Sequence, residues 1–378
     1  MSPIMFEDPN ARSSYSDSNE SEDNSVYFSG QLEKPSHGDS KTHRLLDVIS
    51  AHVESVSCLA LCGEFMLSAS RGNDIVVWQQ PDMRQLTKFG VGEGSVKALL
   101  AIGNQVFSAH QDGHIRVWKV SKKNENVFRL VETLPTTKDY MGNLMKQRNC
   151  MQVTKHHKLW IEHLDTISCL AASDGLIYSG SWDKTLKVWR LSDLICLESI
   201  EAHNEAINGL VVHDGLVYSA GADGKINVWE QRGVSHRRKA TLEGHEDVSM
   251  NTVIVSEGDG MVFGGGSDGY LFGWERSAKE GWELVIEVKG HEFAVLCLCF
   301  MGELLCTGSA DKNICLWRKV GNGILGVIYK VAVLNGHQGP VKCLQASPYS
   351  VGEGNDKSLR VWWVSKDLKE ELEEEWDP

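Results

Sequence analysis

The sequence predicts an all-β fold of seven four-stranded sheets set around a common axis, and three observations lead to this prediction. Seven similar phrases each end in Trp, six of them have an Asp six residues before that Trp, and six are preceded by a His. Most of these Trp residues are 40–45 positions apart, a spacing typical of repeats that each form one small sheet. A four-stranded unit cannot bury both faces alone, so such units must stack on one another. The seven Trp residues are Trp78, Trp118, Trp189, Trp229, Trp274, Trp317 and Trp362.

Each phrase is typical of a short strand, a tight turn and an alternating strand that ends in Trp. Residues 179–189, SGSWDKTLKVW, are the clearest example. Gly72 replaces the turn Asp in the first unit, and Gly92 replaces the opening His in the second. The turn Asp residues are Asp112, Asp183, Asp223, Asp268, Asp311 and Asp356. The opening His residues are His52, His163, His203, His245, His291 and His337.

Pairing between the two ends of the repeat region is expected to close the ring. Residues 44–50 (RLLDVIS) precede the first His just as residues 196–201 precede His203, so they form an outer strand without inner strands of their own. The last unit ends soon after Trp362 and therefore lacks an outer strand. Pairing the two segments removes exposed sheet edges and gives a seven-bladed β-propeller.

The His, Ser or Thr, Asp and Trp set with this spacing resembles the WD repeat over about residues 42–365. The Trp-Asp dipeptide itself is missing, because other residues, beginning with Gln79 and Lys119, follow all seven Trp residues. Three passages, LPTTKDYMGNLM (134–145), HKLWIEHLDTISCL (157–170) and SLRVWWV (358–364), resemble the plant Jingubang-type group of WD-repeat proteins. This resemblance implies a non-enzymatic regulatory scaffold that binds other proteins in a plant cell.

Three units carry the complete polar set, which the resemblance assigns to hydrogen bonds inside a blade. Ser, His and Asp also form hydrolase triads. Because the set recurs in several units, the sequence favours the structural role, and no catalytic residue is predicted. The sets are His163, Ser179, Asp183 and Trp189; His203, Ser219, Asp223 and Trp229; and His291, Thr307, Asp311 and Trp317.

Charge divides the chain into three parts. Residues 1–40 carry eight acids, two bases and ten serines, which predicts a disordered acidic tail. Residues 41–365 form the predicted propeller, and residues 366–378 form a second acidic tail with seven acids and two bases. The N-terminus lacks a secretory leader pattern and no apolar run is long enough to cross a membrane, so the sequence predicts an intracellular protein of the cytoplasm, the nucleus or both.

No cofactor or metal site is predicted. Residues 264–269 and 321–326 match G-x-G-x-x-G, but neither opens a helix, so hairpin glycines explain them better than a dinucleotide site. The pair at 156–157 is two exposed His residues more often than a metal site. Cysteines recur six residues after the opening His, which indicates core packing in a reduced protein. They are Cys58, Cys169, Cys297 and Cys343.

A basic insertion is predicted between the second and third blades, at about residues 121–155. Forty-five positions separate Trp118 from His163, and residues 159–161 are expected to supply the end of the outer strand. Residues 119–160 hold nine bases and three acids, among the bases Lys122 and Lys123. Apolar residues in the same stretch predict that part of it packs on the propeller. Docking of an acidic partner protein ranks first, before binding of the chain's own acidic tails and nucleic-acid contact, because a net charge of −13 opposes attraction to phosphate.

One face of the propeller is the predicted protein-binding surface. The residue before each turn Asp is expected to point away from the blade toward the mouth of the central channel. Trp182 stands out among these residues, since an exposed Trp in a hairpin turn is costly unless it binds a partner or packs on a neighbouring loop. Both alternatives remain open from the sequence. The residues are Arg71, Gln111, Trp182, Ala222, Ser267, Ala310 and Asn355.

Two functions compete within the scaffold class. The first is a regulatory interaction scaffold that binds other proteins as a monomeric propeller. The alternative is a substrate receptor of a cullin–RING ubiquitin ligase, because residues 217–232 are similar to the box with which such receptors bind their adaptor. In that alternative Arg232 contacts the ubiquitin-ligase adaptor; otherwise it is an ordinary exposed Arg.

Overall fold

A computed structural model describes residues 43–50, 52–90, 94–121, 127–144, 150–153, 156–276, 281–320, 327–347, 350–354 and 357–365. All described residues belong to one compact unit, Asp39–Pro378. No helix in these ranges is long and apolar enough to cross a bilayer.

Six four-stranded antiparallel sheets, here called blades 1 to 6, each consist of four consecutive strands. Blade 1 is β2 (Val56–Cys62), β3 (Phe65–Ser70), β4 (Ile75–Gln79) and β5 (Arg84–Phe89). Blade 2 is β6 (Val96–Ile102), β7 (Gln105–His110), β8 (Ile115–Ser121) and β9 (Val127–Leu134). Blade 3 is β12 (Ile167–Ser173), β13 (Leu176–Ser181), β14 (Thr185–Arg190) and β15 (Cys196–Glu201).

The next three blades repeat the same order of innermost to outermost strand. Blade 4 is β16 (Ile207–His213), β17 (Leu216–Gly221), β18 (Lys225–Arg232) and β19 (Ser235–Glu243). Blade 5 is β20 (Met250–Val255), β21 (Val262–Gly266), β22 (Tyr270–Arg276) and β23 (Trp282–Lys289). Blade 6 is β24 (Val295–Met301), β25 (Leu304–Ser309), β26 (Ile314–Val320) and β27 (Val327–Leu334).

A further four-stranded sheet, the composite sheet, combines both ends of the described chain. β28 (Cys343–Ser347), β29 (Ser350–Gly354) and β30 (Ser358–Val364) supply three strands, and β1 (His43–Ser50) supplies the fourth. β1 runs antiparallel to β30, with His43 opposite Val364 and Ser50 opposite Ser358. The innermost strands contact one another in the cyclic order β2, β6, β12, β16, β20, β24 and β28, and β28 returns to β2. The described strands therefore form a β-propeller.

The all-β propeller class is confirmed, but the predicted number of blades is wrong. The predicted seven blades become six blades that are each complete within one continuous segment, together with the composite sheet. The physical reason is that β28–β30 provide only three strands, so this sheet has no fourth strand of its own. One short helix, α1 (Thr137–Leu144), and a two-stranded sheet of β10 (Cys150–Val153) and β11 (His156–Leu159) follow blade 2.

The outer strand of blade 2 also differs from the prediction. It is β9, which pairs with β8 from Ser121 opposite Val127 to Ile115 opposite Leu134. The expectation that residues 159–161 end this strand is therefore wrong. The apolar residues of β9 follow β8 after a short connection, so they reach the open edge of the blade first. Leu159 and Ile161 are instead buried beside Trp189 of blade 3.

The core lies between neighbouring blades, and its composition follows from burial on both faces. Every residue of β3 is buried, and Leu67, Val77 and Val106 of adjoining blades have no exposed surface. Strands of this kind read as continuous apolar runs, since neither side meets water. Burial of apolar surface at about 25 cal/mol per Å² makes each blade–blade contact strongly stabilising.

Removal of β1 is expected to destabilise the propeller because it exposes the edge of β30. Deletion of residues 1–50 should lower the melting temperature by several degrees, whereas deletion of residues 1–38 should not. Thermal unfolding followed by circular dichroism would measure both. Equal melting temperatures for the two truncations would contradict the closure by β1.

Candidate protein-interaction surface

Three blades contain a hydrogen-bonded relay with the same geometry, made of the residues that the sequence singled out. In blade 3, His163 lies between Asp183 and Ser179, with Nδ1 to Oδ2 3.1 Å and Nε2 to Oγ 2.8 Å, and Trp189 Nε1 donates to Ser179 Oγ over 2.9 Å. The corresponding three distances in blade 4 are 2.9, 2.8 and 3.0 Å. In blade 6 they are 2.8, 2.7 and 2.9 Å.

This relay is a structural device and cannot act as a hydrolase triad. Ser179, Ser219 and Thr307 have no exposed surface, and each hydroxyl oxygen already accepts a hydrogen bond from a Trp. A nucleophile must be free to reach a substrate carbon. These hydroxyls instead join the strand that carries them to the strand that ends in Trp.

Hydrogen bonds and burial determine the ionisation of the Asp and His side chains in the relay. Burial acts to raise the pKa of Asp183, but hydrogen bonds from His163, Thr185 and the Leu164 amide outweigh it, so the pKa of this carboxyl lies well below its usual range. Burial lowers the pKa of His163 and of His291. The relay is therefore most stable with an ionised Asp at neutral pH.

Blade 2 replaces the missing opening His with another residue that the sequence analysis overlooked. His110, two residues after Ser108, places Nε2 2.8 Å from the Ser108 hydroxyl, which also accepts from Trp118 over 2.8 Å. His110 is 1% exposed, and burial lowers its pKa to about 4. The phrase SAHQDG contained the signal, because His stands in it where the other units have a small residue.

Blades 1 and 5 keep only part of the relay. In blade 1, His52 and Trp78 both bond to Ser68 at 2.8 and 2.7 Å, with Gly72 in the place of the Asp. In blade 5, His245 bonds to Asp268 at 2.7 Å, but Gly264 supplies no hydroxyl for Trp274. Relay loss is thus tolerated in single blades.

A common backbone bond defines the surface called here the upper face. The amide of the residue before each turn Asp, or before Gly72 in blade 1, donates to a carbonyl in the loop that leads into the same blade. This bond is present at Arg71, Gln111, Trp182, Ala222, Ser267 and Ala310, with N to O distances of 2.8–3.3 Å. Asn355 lies outside the described residues.

Trp182 dominates this face by size. Its side chain is 44% exposed, and the Lys97 ammonium lies 5.9 Å from its ring centre. Arg71 and Gln111 are also exposed, and the Gln111 carbonyl accepts from the Ser95 hydroxyl over 2.9 Å. Sequence reasoning selected Trp182 but missed Lys97, because nothing in the sequence marks a single Lys on an inner strand.

The insertion after blade 2 is anchored by α1. Thr136 and Asp139 exchange hydrogen bonds of 3.1 Å that cap the helix, and Asp139 also accepts from the Cys196 amide of blade 3 over 3.3 Å. Tyr140 donates to Glu162 over 2.9 Å. Part of the insertion thus packs on the propeller. Lys122 and Lys123, on which the predicted basic surface depends, lie outside the described residues.

Arg232 lies at the end of β18, and its side chain is 67% exposed. Its guanidinium donates to Glu230 over 2.8 Å, and Lys239 donates to the other oxygen of the same carboxylate. Trp229, three residues earlier, is buried in the blade 4 relay. Arg232 and the neighbouring Gln231 are therefore exposed members of the box at residues 217–232.

The described residues contain no group of His, Cys, Asp and Glu that could hold a metal ion. The cysteines whose side chains are described are buried free thiols, and burial raises the pKa of Cys58 and of Cys169 to about 12. Such thiols stay protonated and pack as small apolar groups.

Comparison with known proteins supports a WD-repeat family. The family described as "WD domain, G-beta repeat" matches residues 149–190, 194–230 and 282–318. Each of these segments ends at, or one residue beyond, the Trp of a complete relay.

Two proteins of Arabidopsis thaliana are similar over parts of the chain. A zinc finger CCCH domain-containing protein is 26% identical over 110 residues, which are 29% of this chain and 18% of that protein. An F-box/WD-40 repeat-containing protein is 24% identical over 157 residues, 41% of this chain and 26% of that protein. The chain thus spans only about a fifth to a quarter of these relatives.

A solved structure shares the fold. The crystal structure of the computationally designed Ika8 protein aligns with a TM-score of 0.60 and 23% identity, covering 83% of this chain and 98% of that one. At this identity the likeness concerns the fold alone.

Acid should weaken the fold through His110. Its folded pKa, about 4, lies below the unfolded value of 6.5, so its contribution is complete above pH 6.5 and is lost as pH falls toward 4. Between pH 7 and pH 5 the free energy of unfolding should fall by about 1–2 kcal/mol more in the wild type than in His110→Gln. Urea unfolding at both pH values measures the difference. A fall of the same size in the variant would show that His110 is not buried in its neutral form.

Proposed function

We propose that this chain is a non-enzymatic protein-interaction scaffold with a regulatory role in the cytoplasm or nucleus of a plant cell. The resemblance to Jingubang-type proteins and the two Arabidopsis relatives support the plant setting. The observation that carries the proposal is Trp182, a large ring 44% exposed on a face that otherwise has a common backbone in six blades.

The exposure of Trp182 favours a binding role over a packing role. A Trp that served to hold a neighbouring loop would be covered by that loop, whereas this ring keeps nearly half of its surface in contact with solvent. Trp buries a large area with little loss of conformational freedom, which is why it dominates binding hot spots. The turn that carries Trp182 is fixed by backbone bonds from Trp182 to Thr166 and from Lys184 to Ser181, so the ring is presented on a rigid support.

Replacement of Trp182 tests this proposal. Tagged wild-type chain, Trp182→Ala and a control, Trp363→Ala, would be used to capture proteins from plant extract for mass spectrometry. Trp363 is 38% exposed on β30, away from the turn that carries Trp182. The control therefore also replaces an exposed Trp with Ala, but in another part of the propeller. We expect proteins that bind the wild type and the control to be lost with Trp182→Ala, while its melting temperature stays within about 2 °C of the wild type.

A different pattern would contradict the scaffold surface. If Trp182→Ala melts several degrees lower yet captures the same proteins, the ring packs on its neighbours and does not bind a partner. Docking through the insertion at Lys122 and Lys123 remains a separate prediction for the same captured partners.

A substrate receptor of a cullin–RING ligase is the second candidate, because the Arg232 guanidinium is exposed beside the buried Trp229. The capture experiment also tests it. A ligase adaptor that binds the wild type and is lost with Arg232→Ala would support this function. If no preparation contains an adaptor, the ligase-receptor function is contradicted.

A further inference from the structure

In several blades of this propeller, the second residue of the innermost strand bonds to the neighbouring blade. At this position the register between the first two strands shifts by one residue in blades 1 to 6. In four blades a short polar side chain there donates to a backbone carbonyl of the next blade, and so joins neighbouring sheets. The bonds are Ser57 to Val96 (2.8 Å), Ser168 to Ile207 (2.5 Å), Asn208 to Met250 (3.1 Å) and Asn251 to Val295 (2.9 Å).

Lysines replace these joining residues at two places. Lys97 holds the position in blade 2, and Lys342, which precedes Cys343 as Ser57 precedes Cys58, holds it at the start of the composite sheet. Both are half-buried. Because β2 contacts β6 and β28, the two lysines flank blade 1 on its two sides. Each replacement gives up a hydrogen bond between blades and adds a cation.

Arg71 brings a third cation to the same sector. It lies in the upper-face turn of blade 1, between the strands that precede and follow it. The pKa values of Lys97 and Lys342 are both lowered, first by burial and then by the positive charge of Arg71. No carboxylate among the described residues forms an ion pair with any of the three. This cationic sector, defined as Arg71, Lys97 and Lys342, is thus a group of three cations without an ion-pair partner among the described residues, in a chain of net charge −13.

The other end of the inner strands has the opposite character. A cavity of about 1050 Å³ lies against the ends of β16, β20 and β24, and its lining includes Glu257, Asp259 and Glu303. Lys319 also lines it, but its ammonium is bonded to Asp259 over 2.5 Å. Three carboxylates therefore line this lower cavity, whereas Arg71, Lys97 and Lys342 lie at the other end of the inner strands.

Trp182 borders the cationic sector on the side of blade 3. Its ring lies 5.9 Å from the Lys97 ammonium, within the range of a cation–π contact. The exposed part of the ring offers an apolar surface directly beside a positive charge. A free inorganic anion has no apolar group that could pack on this surface, whereas a peptide can place an apolar side chain next to an acidic one.

We infer that the cationic sector and Trp182 form one binding site for an acidic peptide segment of a partner protein. Carboxylates of the segment enter the channel mouth between Arg71, Lys97 and Lys342, and a neighbouring apolar side chain packs on Trp182. This inference rests on the proposed function and adds the chemistry of the partner. The partner's charge replaces the counter-charge that the described part of the site lacks, and it removes the mutual repulsion of the three cations.

The test uses substitutions that the fold already accepts. Lys97→Ser and Lys342→Ser place at both positions the residue found in blades 1 and 3. Lys289→Ser is the control, because Lys289 also lies over an aromatic ring, Tyr270 at 5.6 Å, but on the outer strand β23. The probe is a fluorescein-labelled peptide, Glu-Glu-Leu-Glu-Glu, with a Gln counterpart, and its binding to the full chain is measured by anisotropy at low ionic strength.

We expect the Glu peptide to bind and its Gln counterpart to fail. The double variant Lys97→Ser/Lys342→Ser should weaken binding at least tenfold, and Lys289→Ser less than twofold. Trp182→Ala should weaken binding of the peptide that contains Leu. It should not weaken binding of a peptide in which Gly replaces this Leu. The inference is overturned if the Glu peptide does not bind, if the double variant binds it unchanged, or if inorganic triphosphate binds the site while the peptide does not.

The two proposals fail in different ways. If proteins captured through Trp182 still bind the double lysine variant, the scaffold stands and the acidic-peptide inference falls. If no captured protein depends on Trp182, the scaffold surface falls, whatever the peptide probe shows.

Discussion

The antiparallel pairing of β1 with β30 holds the two ends of the repeat region together, and every blade depends on it because each sheet is buried only by its neighbours. The repeats that match known WD domains show why this pairing is needed. Residues 194–230 run from the outer strand of blade 3 to the third strand of blade 4, and residues 282–318 do the same for blades 5 and 6. Each sequence repeat is thus offset from its blade by one strand, so the repeat region begins with a lone outer strand and ends with three inner strands. Their pairing covers the edge of β30 and completes the last sheet of the ring.

Within this closed ring the relay stabilises the turns that form the upper face. A buried hydroxyl, such as that of Ser179, ties His163 and Trp189 together, and the His in turn holds the Asp that shapes the turn. The turns share one backbone hydrogen bond in blades 1 to 6, including blades 1 and 5, where the relay is incomplete. The blades therefore differ mainly in some relay residues and in the exposed side chains that these turns carry. A rigid backbone with variable side chains is what a binding surface requires, since little entropy is lost when a partner docks.

Sequence spacing predicted those parts that repeat. Period and residue type placed the relays of blades 3, 4 and 6 and the row of residues that includes Trp182, because each blade solves the same packing problem. The sequence did not reveal that His110 supplies the relay of blade 2, since a ring from another position reaches the same hydroxyl in space. It placed the end of the outer strand of blade 2 at residues 159–161, whereas β9 supplies this strand. Lys97 and Lys342 were missed because only the contact of β2 with β6 and β28 brings them to one sector.

Hydrogen–deuterium exchange of the intact chain tests the closure most directly. The amides of β30, and those amides of β1 that bond to β30, should exchange as slowly as those of β14 in blade 3, since these bonds would open only when the whole ring opens. Exchange of β1 within seconds, with β14 still protected, would show that β1 is not a permanent strand of the composite sheet and that the ring does not depend on it.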